Sequence, residues 1–449
     1  MVREASSYVK KIAASIGNKL GGDSKEIISK SSIFFLFRVI GFIAGYIFTL
    51  IVARRFGAET NGLVSLGFSV MMIVSIVCRL GFDTATVRFF AITENQTIQK
   101  GIFYKSYLLS FLVSIIASLT IYFTSDYIAL DIFKKEEFIP YLRITAITIP
   151  FWTVLLIDSS YFRALKKNLL FSFFNNSGRF ILTLLVFLGL ILFGKGSDPL
   201  STLISHFWGI FVLFALGSFL VFKLMKENRF KTSISLKNYF RDSLPMLLSG
   251  SMLVFLSWSD TIVLGLFESD KSIGVYNVSL KLAMLTSFTL QAFNSILAPK
   301  ISQLYFKNKW SELQTNIRFT TKLNTFITLF FVIVLVGFPS FFLRIFGVEF
   351  LEGKYALIIL ALGQLVNSLS GPVGIILQMT GHQKIYQNIV FVSFGLNLIL
   401  NVILIYSYGI LGAAIATALS VSFLNILGAV FVKKKMHIKS YFILGKTKK

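Results

Sequence analysis

The chain has 449 residues, of which 55% are hydrophobic and only 14% are charged. A soluble domain usually carries about 25% charged residues, so this chain has too little polar surface to cover a globule in water. The net charge of +24 is concentrated between long apolar runs, which indicates a membrane surface and not nucleic acid as its partner. One cysteine and three histidines cannot build a metal cluster or a Cys/His nucleophile, and no Gly-rich phosphate loop is present. We therefore predict no enzyme, no metal and no cofactor.

Apolar runs long enough to cross a bilayer occur twelve times along the chain. A membrane-spanning helix needs about 20 apolar residues at a rise of about 1.5 Å each. Barrel strands would instead alternate polar and apolar residues over about 10 positions. The predicted spans are residues 31–52, 62–82, 103–124, 140–161, 169–193, 201–222, 243–267, 274–298, 323–346, 355–379, 386–407 and 410–432.

Basic residues are distributed unevenly between the two sides of these spans. If the N-terminus is inside, 31 of the 44 Lys and Arg residues lie in or beside the inner segments and only 8 in or beside the outer ones. Short cytoplasmic loops carry such an excess, so we expect a cell-membrane protein with both termini in the cytoplasm. Residues 8–20 are compatible with a short helix on the anionic inner leaflet and equally with a disordered basic tail.

The chain divides into two faintly similar halves. At a shift of 212 residues, Lys25 falls on Lys237 and Gly62 falls on Gly274. Two six-span halves of the same orientation form a parallel repeat, and transporters of this design bind their substrate between the halves. The predicted fold is an all-α integral membrane protein with about 12 transmembrane helices in two six-helix bundles around a central cavity. The predicted segments are a basic cytoplasmic N-terminal segment (1–30), an N-terminal bundle (31–222), a cytoplasmic linker (223–242), a C-terminal bundle (243–432) and a basic cytoplasmic tail (433–449).

Seven charged residues lie three or more residues inside a predicted span, where a charge is costly and usually faces protein or a water-filled cavity. They are Arg38, Arg79, Arg143, Asp158, Arg179, Asp260 and Lys281. Arg79, Arg143 and Asp158 lie within about 5 Å of a span end, so we expect them to reach the lipid headgroups.

The other four charges lie deeper. Asp260 and Lys281 both lie about 10 Å below the outer surface on consecutive helices. Two hypotheses follow: the two side chains form an ion pair, or Asp260 takes up H⁺ or Na⁺ during transport. Arg38 and Arg179 lie about 10–15 Å from the inner side of their spans.

Small and polar residues share helix faces with the deep charges. A packing seam between helices could produce such faces, but it would not need Arg38 or Lys281. We therefore predict a wet, cationic cavity between the halves and an anionic cargo, because the planar fork of arginine suits phosphate or carboxylate. The candidate anion-binding residues are Arg38, Arg179 and Lys281, and the candidate polar residues lining the cavity are Asn175, Asn277 and Gln291.

Three prolines lie inside predicted spans. They are Pro150, Pro339 and Pro372. Proline removes a helical hydrogen bond and bends the helix. Bent spans fit a protein that rocks between two open states, although static bundles contain them too.

Three stretches resemble the signature segments of polysaccharide flippases. They are ARRFGAETNGLVSLGFSVMMIVSIVCRLGFDTATVRFFA, SDTIVLGLFESDKSIGVYNVSLKLA and GHQKIYQNIVFVSFGLNLILNVILIYSYGILGAAIATALS. Their order and spacing extend over nearly the whole chain. The chain is thus identified as a member of the lipid-linked oligosaccharide flippases (O-antigen flippase-like) of the multidrug/oligosaccharidyl-lipid/polysaccharide exporter superfamily.

The resemblance implies two six-helix bundles arranged as a V, and movement of a polyprenyl-pyrophosphate-linked oligosaccharide from the inner to the outer leaflet. It also implies that cavity Arg and Lys residues bind the pyrophosphate, and Arg38 and Lys281 match that use best. The implied partners are the lipid-linked oligosaccharide, membrane lipids and polysaccharide polymerase or assembly proteins, and the implied energy source is an ion gradient or the membrane potential. The alternatives are a cation-coupled multidrug or small-molecule exporter of the same superfamily and a scaffold protein that does not transport.

Overall fold

The structure, a computed structural model, describes residues 22–225 and 236–443. The helix considered for residues 8–20 and half of the predicted linker, residues 226–235, therefore lie outside the described residues. Within the described ranges nine helices are long and apolar enough to cross a membrane, and one bent pair adds a tenth. Breaks at Gly57 and Gly409 divide two of these helices, which gives twelve spans. The predicted all-α membrane fold is confirmed.

The twelve spans are numbered α1 to α12. They are α1 (22–56), α2 (58–78), α3 (Gln96–Phe123), α4 (Phe138–Ala164), α5 (Asn168–Leu192), α6 (Ser201–Met225), α7 (Leu236–Phe267), α8 (270–306), α9 (Trp310–Gly337), α10 (354–379), α11 (383–408) and α12 (410–436). Shorter helices connect them, at Phe82–Ile92, Ser125–Tyr127, Ile128–Ile132, Pro339–Arg344 and Val348–Gly353.

Glycines form the sharp turns between consecutive spans. Gly57 separates α1 from α2 at φ 83° and ψ −175°, and Gly409 separates α11 from α12 at φ 56° and ψ −131°. Only glycine adopts such positive φ values without strain. A five-residue π-helix, Phe173–Ser177, lies inside α5, and such segments are frequent at functional sites.

The prolines follow the prediction only in part. Pro150 lies inside α4, and Pro372 lies at the break where α10 bends by 41°. Pro339 was wrongly placed inside a span, since α9 begins already at Trp310 and ends at Gly337. Pro339 instead begins the next short helix, where its missing N–H needs no helical partner.

The three charges expected near the headgroups behave differently from one another. Arg143 pairs with Asp126 at 2.9 Å, and both side chains are about half exposed. Arg79 pairs with Asp83 at 2.5 Å, but its side chain is only 12% exposed. The expectation for Asp158 is wrong: it is completely buried, because it faces other helices of its own half and not the membrane surface.

The hydrophobic cores show how the two halves meet. One core contains residues of both halves, among them Leu63 of α2, Tyr276 of α8 and Ile405 of α11. A second core lies almost wholly in the N-terminal half, around Phe103 and Phe162, and a third consists of C-terminal-half residues only. The halves thus share a core at the face where α1 turns into α2 and α7 into α8, and we call this face the closed face. At the other face the start of α7 bridges the halves, since Tyr239 stacks on Phe82 in the second core.

At the closed face, α2 and α8 cross at Gly62 and Gly274. A methyl group on Gly62 would overlap the carbonyl oxygen of Asp270, and one on Gly274 would overlap the carbonyl oxygen of Ala58. These contacts are reciprocal, because Gly62 and Gly274 are separated by the same 212 residues as Ala58 and Asp270. The faint repeat in the sequence thus corresponds to a two-fold contact between the halves.

Polar bonds from the connecting segments reinforce the closed face. Arg54 of α1 donates from Nε to the carbonyl oxygen of Ile345 at 2.5 Å, and Glu349 accepts from the backbone N–H of Ala58 at 2.7 Å. In the other direction Lys135 of the N-terminal half pairs with Asp270 at 3.1 Å. Each half therefore bonds to the turn between the first two spans of the other half.

Candidate functional site

A cavity of about 240 Å³ lies between the halves. Five spans line it: α1 and α2, the segment of α5 after its π-helix, and α7 and α8. The lining residues are Phe42, Gly45, Tyr46, Thr49, Asn61, Ser65, Phe68, Arg179, Phe180, Ser257, Trp258, Asn277, Leu280, Lys281 and Met284. Arg179 and Lys281 are the two cations among these residues, and none of them is acidic.

Arg179 enters the cavity from the N-terminal half, and aromatic rings surround its guanidinium group. The guanidinium carbon lies 4.3 Å from the ring centroid of Phe180, 4.9 Å from that of Trp152 and 5.9 Å from that of Phe68. Its Nε is buried and has no hydrogen-bond partner. Ring quadrupoles stabilise a cation without neutralising it, so Arg179 keeps its positive charge available to a ligand.

Lys281 enters the same cavity from the C-terminal half. Its Nζ donates to the hydroxyl oxygen of Thr49 on α1, and the hydroxyl group of Tyr46 donates to its backbone carbonyl oxygen. The lysine is therefore held across the boundary between the halves by neutral partners. An ammonium group keeps two further donors when it makes one hydrogen bond.

Among the described residues, the cavity lining thus contains one cation from each half and no carboxylate. Arg179 and Lys281 are both half-buried, and two like charges that are partly shielded from water repel each other unless an anion lies between them. The arrangement can bind an anionic group that contacts both halves at once, and arginine offers such a group a planar, bidentate fork.

The other predicted residues lie at different distances from this cavity. Asn277 lines it and accepts a hydrogen bond from Thr261 at 3.3 Å. Arg38 is half-buried on α1, one helical turn before the lining residue Phe42, and does not line the cavity itself. Asn175 lies in the π-helix of α5, and Gln291 is exposed on α8; neither lines the cavity.

Asp260 does not pair with Lys281 in this structure, which therefore lacks the ion pair of the first of the two hypotheses. Its carboxylate is 2% exposed and accepts hydrogen bonds from the Tyr276 hydroxyl group at 2.7 Å, from Asn401 Nδ2 at 2.6 Å and from Thr417 Oγ1. Tyr276 precedes Lys281 by five residues, which at 3.6 residues per turn sets the two side chains about 140° apart on α8. Asp260 meets the tyrosine inside the C-terminal half, while the lysine faces the cavity.

Oxygen atoms of several amides and hydroxyl groups surround Asp260. Asn401 also donates to Asn397 Oδ1 at 3.0 Å, and the buried Oδ1 of Asn401 has no partner. Within the described residues no group of three or more His, Cys, Asp or Glu side chains could hold a metal ion. A carboxylate with neutral oxygens nearby suits a proton or a hard monovalent cation better than a transition metal.

Sequence reasoning missed the contribution of α2 to the cavity. Asn61, Ser65 and Phe68 line it, and their spacing of four and three residues is that of one helix face. Since no charge marks this face, only its small polar residues signal it. Tyr46 was missed for the same reason.

The fold and the cavity define a multi-pass membrane protein built from two helical bundles. Residues 27–305, more than half of the chain, match the polysaccharide biosynthesis protein family, and the chain belongs to that family. Residues 245–403 also match the MatE family. The family predicted from the signature segments is thereby confirmed.

Two archaeal relatives share part of the sequence. The chain is 33% identical over 253 residues to the probable low-salt glycan biosynthesis flippase Agl15 of Haloferax volcanii, a match that covers 56% of this chain and 53% of that protein. It is 29% identical over 265 residues to an uncharacterised membrane protein of Methanocaldococcus jannaschii, covering 57% and 61%. The chain thus spans between half and two thirds of the length of these relatives.

Solved structures share the fold over almost the full length. The lipid II flippase MurJ in an inward closed conformation superposes with a TM-score of 0.70, covering 90% of this chain and 87% of that chain at 17% identity. The multidrug transporter DinF-BH gives 0.64, with 93% and 97% covered at 17% identity. A superfamily transporter of Pyrococcus furiosus, whose binding pocket is described as having reverse polarity, gives 0.61, with 93% and 96% covered at 15% identity. At these identities the likeness concerns the fold alone.

Proposed function

We propose that this protein is a flippase that moves a polyprenyl-pyrophosphate-linked oligosaccharide from the inner to the outer leaflet of the cytoplasmic membrane, for cell-surface polysaccharide biosynthesis. The observation that carries the proposal is the cavity between the halves, in which Arg179 and Lys281 come from opposite halves and none of the described lining residues is acidic. A pyrophosphate between these cations would compensate both positive charges. The name of the Haloferax relative, a probable glycan biosynthesis flippase, supports the same cargo class.

Each cation has its own role in this proposal. Arg179 binds phosphate oxygens through its planar guanidinium group, and the surrounding aromatic rings stabilise its positive charge without neutralising it. Lys281 binds the same anion from the other half. Arg38, one turn further along α1 towards the opposite face, receives the headgroup as it enters. Asn277 and the exposed Gln291 offer amide groups to the sugar.

The orientation follows from the basic loops. We place the closed face outside and both termini in the cytoplasm, because the Lys and Arg residues are concentrated on the side of the termini. On that side α7 bridges the halves through Tyr239 and Phe82, so admission of the headgroup from the inner leaflet requires this contact to part. Alternating access then requires the closed face to open. Polysaccharide polymerase or assembly proteins would receive the product outside.

We assign the coupling between transport and an ion gradient to Asp260 and the side chains that donate hydrogen bonds to it. Asp260, Asn401 and Thr417 belong to three different spans of the C-terminal half, so uptake of H⁺ or Na⁺ by the carboxylate changes how these spans pack. Such a site can convert an ion gradient into a shift between conformations, because the ion binds one of them better.

A cation-coupled multidrug exporter is the second candidate, and the MatE match over residues 245–403 favours it. The cargo of such an exporter would be a cation and not an anion. A cationic drug needs an acidic group in the cavity, whereas the described lining residues offer Arg179 and Lys281 instead.

Mass spectrometry of co-purifying lipids tests the proposal. Wild-type protein extracted from native membranes in mild detergent should carry a polyprenyl-pyrophosphate saccharide, and the Arg179→Gln/Lys281→Gln variant should carry at least tenfold less. Arg143→Gln is the matched control, because Arg143 is a cation paired at the exposed rim. Equal amounts of bulk phospholipid on all three proteins, with no pyrophosphate lipid, would refute the flippase and make drug-efflux assays the next step.

A further inference from the structure

The N-terminal half contains a buried acid that the proposed transport cycle does not use. Asp158 of α4 is completely buried. Its Oδ2 accepts a hydrogen bond from the Ser218 hydroxyl group of α6 at 2.7 Å, and its Oδ1 is buried without any partner. None of the ion pairs found among the described residues includes Asp158.

The groups around this carboxyl are uncharged. Gly217 of α6 allows a close approach, since a methyl group there would lie 3.4 Å from both Asp158 Oδ2 and the ring of Phe174. From α3, the Tyr107 hydroxyl group lies 3.1 Å from that of Ser218. Tyr107 is the titratable side chain that faces Asp158 from the neighbouring helices. An ionised carboxylate with one donor and no cation is strongly disfavoured in such a place.

We propose that Asp158 is a proton-binding site of the N-terminal half, protonated in the conformation described here and able to release its proton only in an arrangement that admits water past Tyr107. The proton leaves Oδ1 for that water, and the carboxylate keeps its hydrogen bond from Ser218. The half-buried Tyr107 and the buried Ser218 form a hydroxyl path to the acid. Because the ionised form needs a hydrated pocket, the protonation state favours one conformation over another.

Contacts link this acid to the cavity. Phe174 packs against Phe162 of α4 at 5.2 Å between ring centroids, and it belongs to the π-helix Phe173–Ser177. At its other end this π-helix meets α1, where a methyl group on Gly41 would overlap Ser177. Arg179 follows two residues later. A change in the packing around Asp158 therefore reaches both the helix that carries Arg38 and the cationic wall of the cavity.

Infrared spectroscopy of the full chain in lipid nanodiscs tests the protonation. Wild-type protein at neutral pH should show the carbonyl stretch of a protonated carboxylic acid, and Asp158→Asn should lose the component of that band that Asp158 contributes, whatever Asp260 contributes. Asp126→Asn, the same change at an exposed carboxylate, should keep it. An unchanged band in Asp158→Asn overturns the proposal. If that variant does not fold, Ser218→Ala replaces it: loss of the single hydrogen bond should shift the band, and an unshifted band overturns the proposal equally.

A distance measurement tests whether the proton acts on conformation. Spin labels at Tyr127→Cys and Tyr355→Cys, both exposed and on different halves, report the separation of the halves as pH is varied. We expect the distance between the labels to change with pH in wild type, and Asp158→Asn to lose one component of that change. In Ser218→Ala the midpoint of this component should move to higher pH, because the Asp158 carboxylate loses the hydrogen bond that stabilises it. Asp260 is present in all these proteins, so the difference reports Asp158 alone. An identical pH response in wild type and Asp158→Asn would mean a constitutively neutral acid and overturn the coupling, whatever the cargo is.

Discussion

Replacing Gly274 by alanine should open the closed face. The added methyl group would overlap the carbonyl oxygen of Ala58 and lie 3.0 Å from the backbone nitrogen of Gly62. Both atoms belong to the backbone of α2, so no side chain can move aside, and α2 and α8 must separate by about 1 Å. Overpacking of this kind typically costs about 1–3 kcal/mol. If only the closed conformation bears this cost, the ratio of open to closed protein rises about 5- to 150-fold.

Thiol labelling can measure this shift. A cysteine at Ser65, which lines the cavity, is placed in a Cys78→Ser background, and an impermeant reagent is added from the closed-face side of proteoliposomes. Gly274→Ala should accelerate labelling by about the same 5- to 150-fold. Gly395→Ala on α11 is the control, since nothing lies within 4 Å of its added methyl group. A labelling rate in folded Gly274→Ala equal to that of the control would refute the view that this crossing closes the outer face.

Two other substitutions test neighbouring features. Glu349→Gln removes the charge of the side chain that accepts a hydrogen bond from the N–H of Ala58, and a hydrogen bond to a charged group is worth about 1.5–3 kcal/mol. The labelling rate of the same cysteine should therefore rise at least severalfold. An unchanged rate would contradict a role of Glu349 in closing this face. Asp260→Ala removes the charged acceptor that Tyr276, Asn401 and Thr417 share inside the C-terminal half, and a hydrogen bond to a charged group is worth about 1.5–3 kcal/mol. The apparent melting temperature in detergent should fall by several degrees, and less in Asp260→Asn; equal values for all three proteins would contradict the network.

The membrane spans could be predicted because the bilayer imposes the same requirement on each of them. Every span must be apolar over about 30 Å, so length and hydropathy found all twelve. The turns at Gly57 and Gly409 lie between predicted spans, at positions where glycine tolerates a positive φ, but they were not singled out from the sequence. Span ends were less predictable, since helices continue into water: α9 begins 13 residues before its apolar stretch, which moved Pro339 out of the span.

The charges were found by sequence reasoning, but their partners were not. Depth along a helix follows from counting residues, whereas direction around it depends on which neighbours pack there. Asp260 and Lys281 have similar depths and face different ways. Asp158 is near a span end and nevertheless buried, because α6 and its Gly217 cover it. No periodicity in α4 alone contains that information.

The reciprocal crossing at Gly62 and Gly274 has the form of an isologous interface, in which two protomers contribute the same patch to a symmetric dimer. Each glycine packs directly against the backbone of the opposite half. A larger residue on either side of this crossing would therefore be tolerated only if the other side changed as well. Residues away from the axis carry no such mutual constraint. One half could thus acquire Arg179 and Asp158 while the other acquired Lys281 and Asp260. A repeated six-helix unit can in this way keep a symmetric contact at its axis and still carry different functional residues in its two halves.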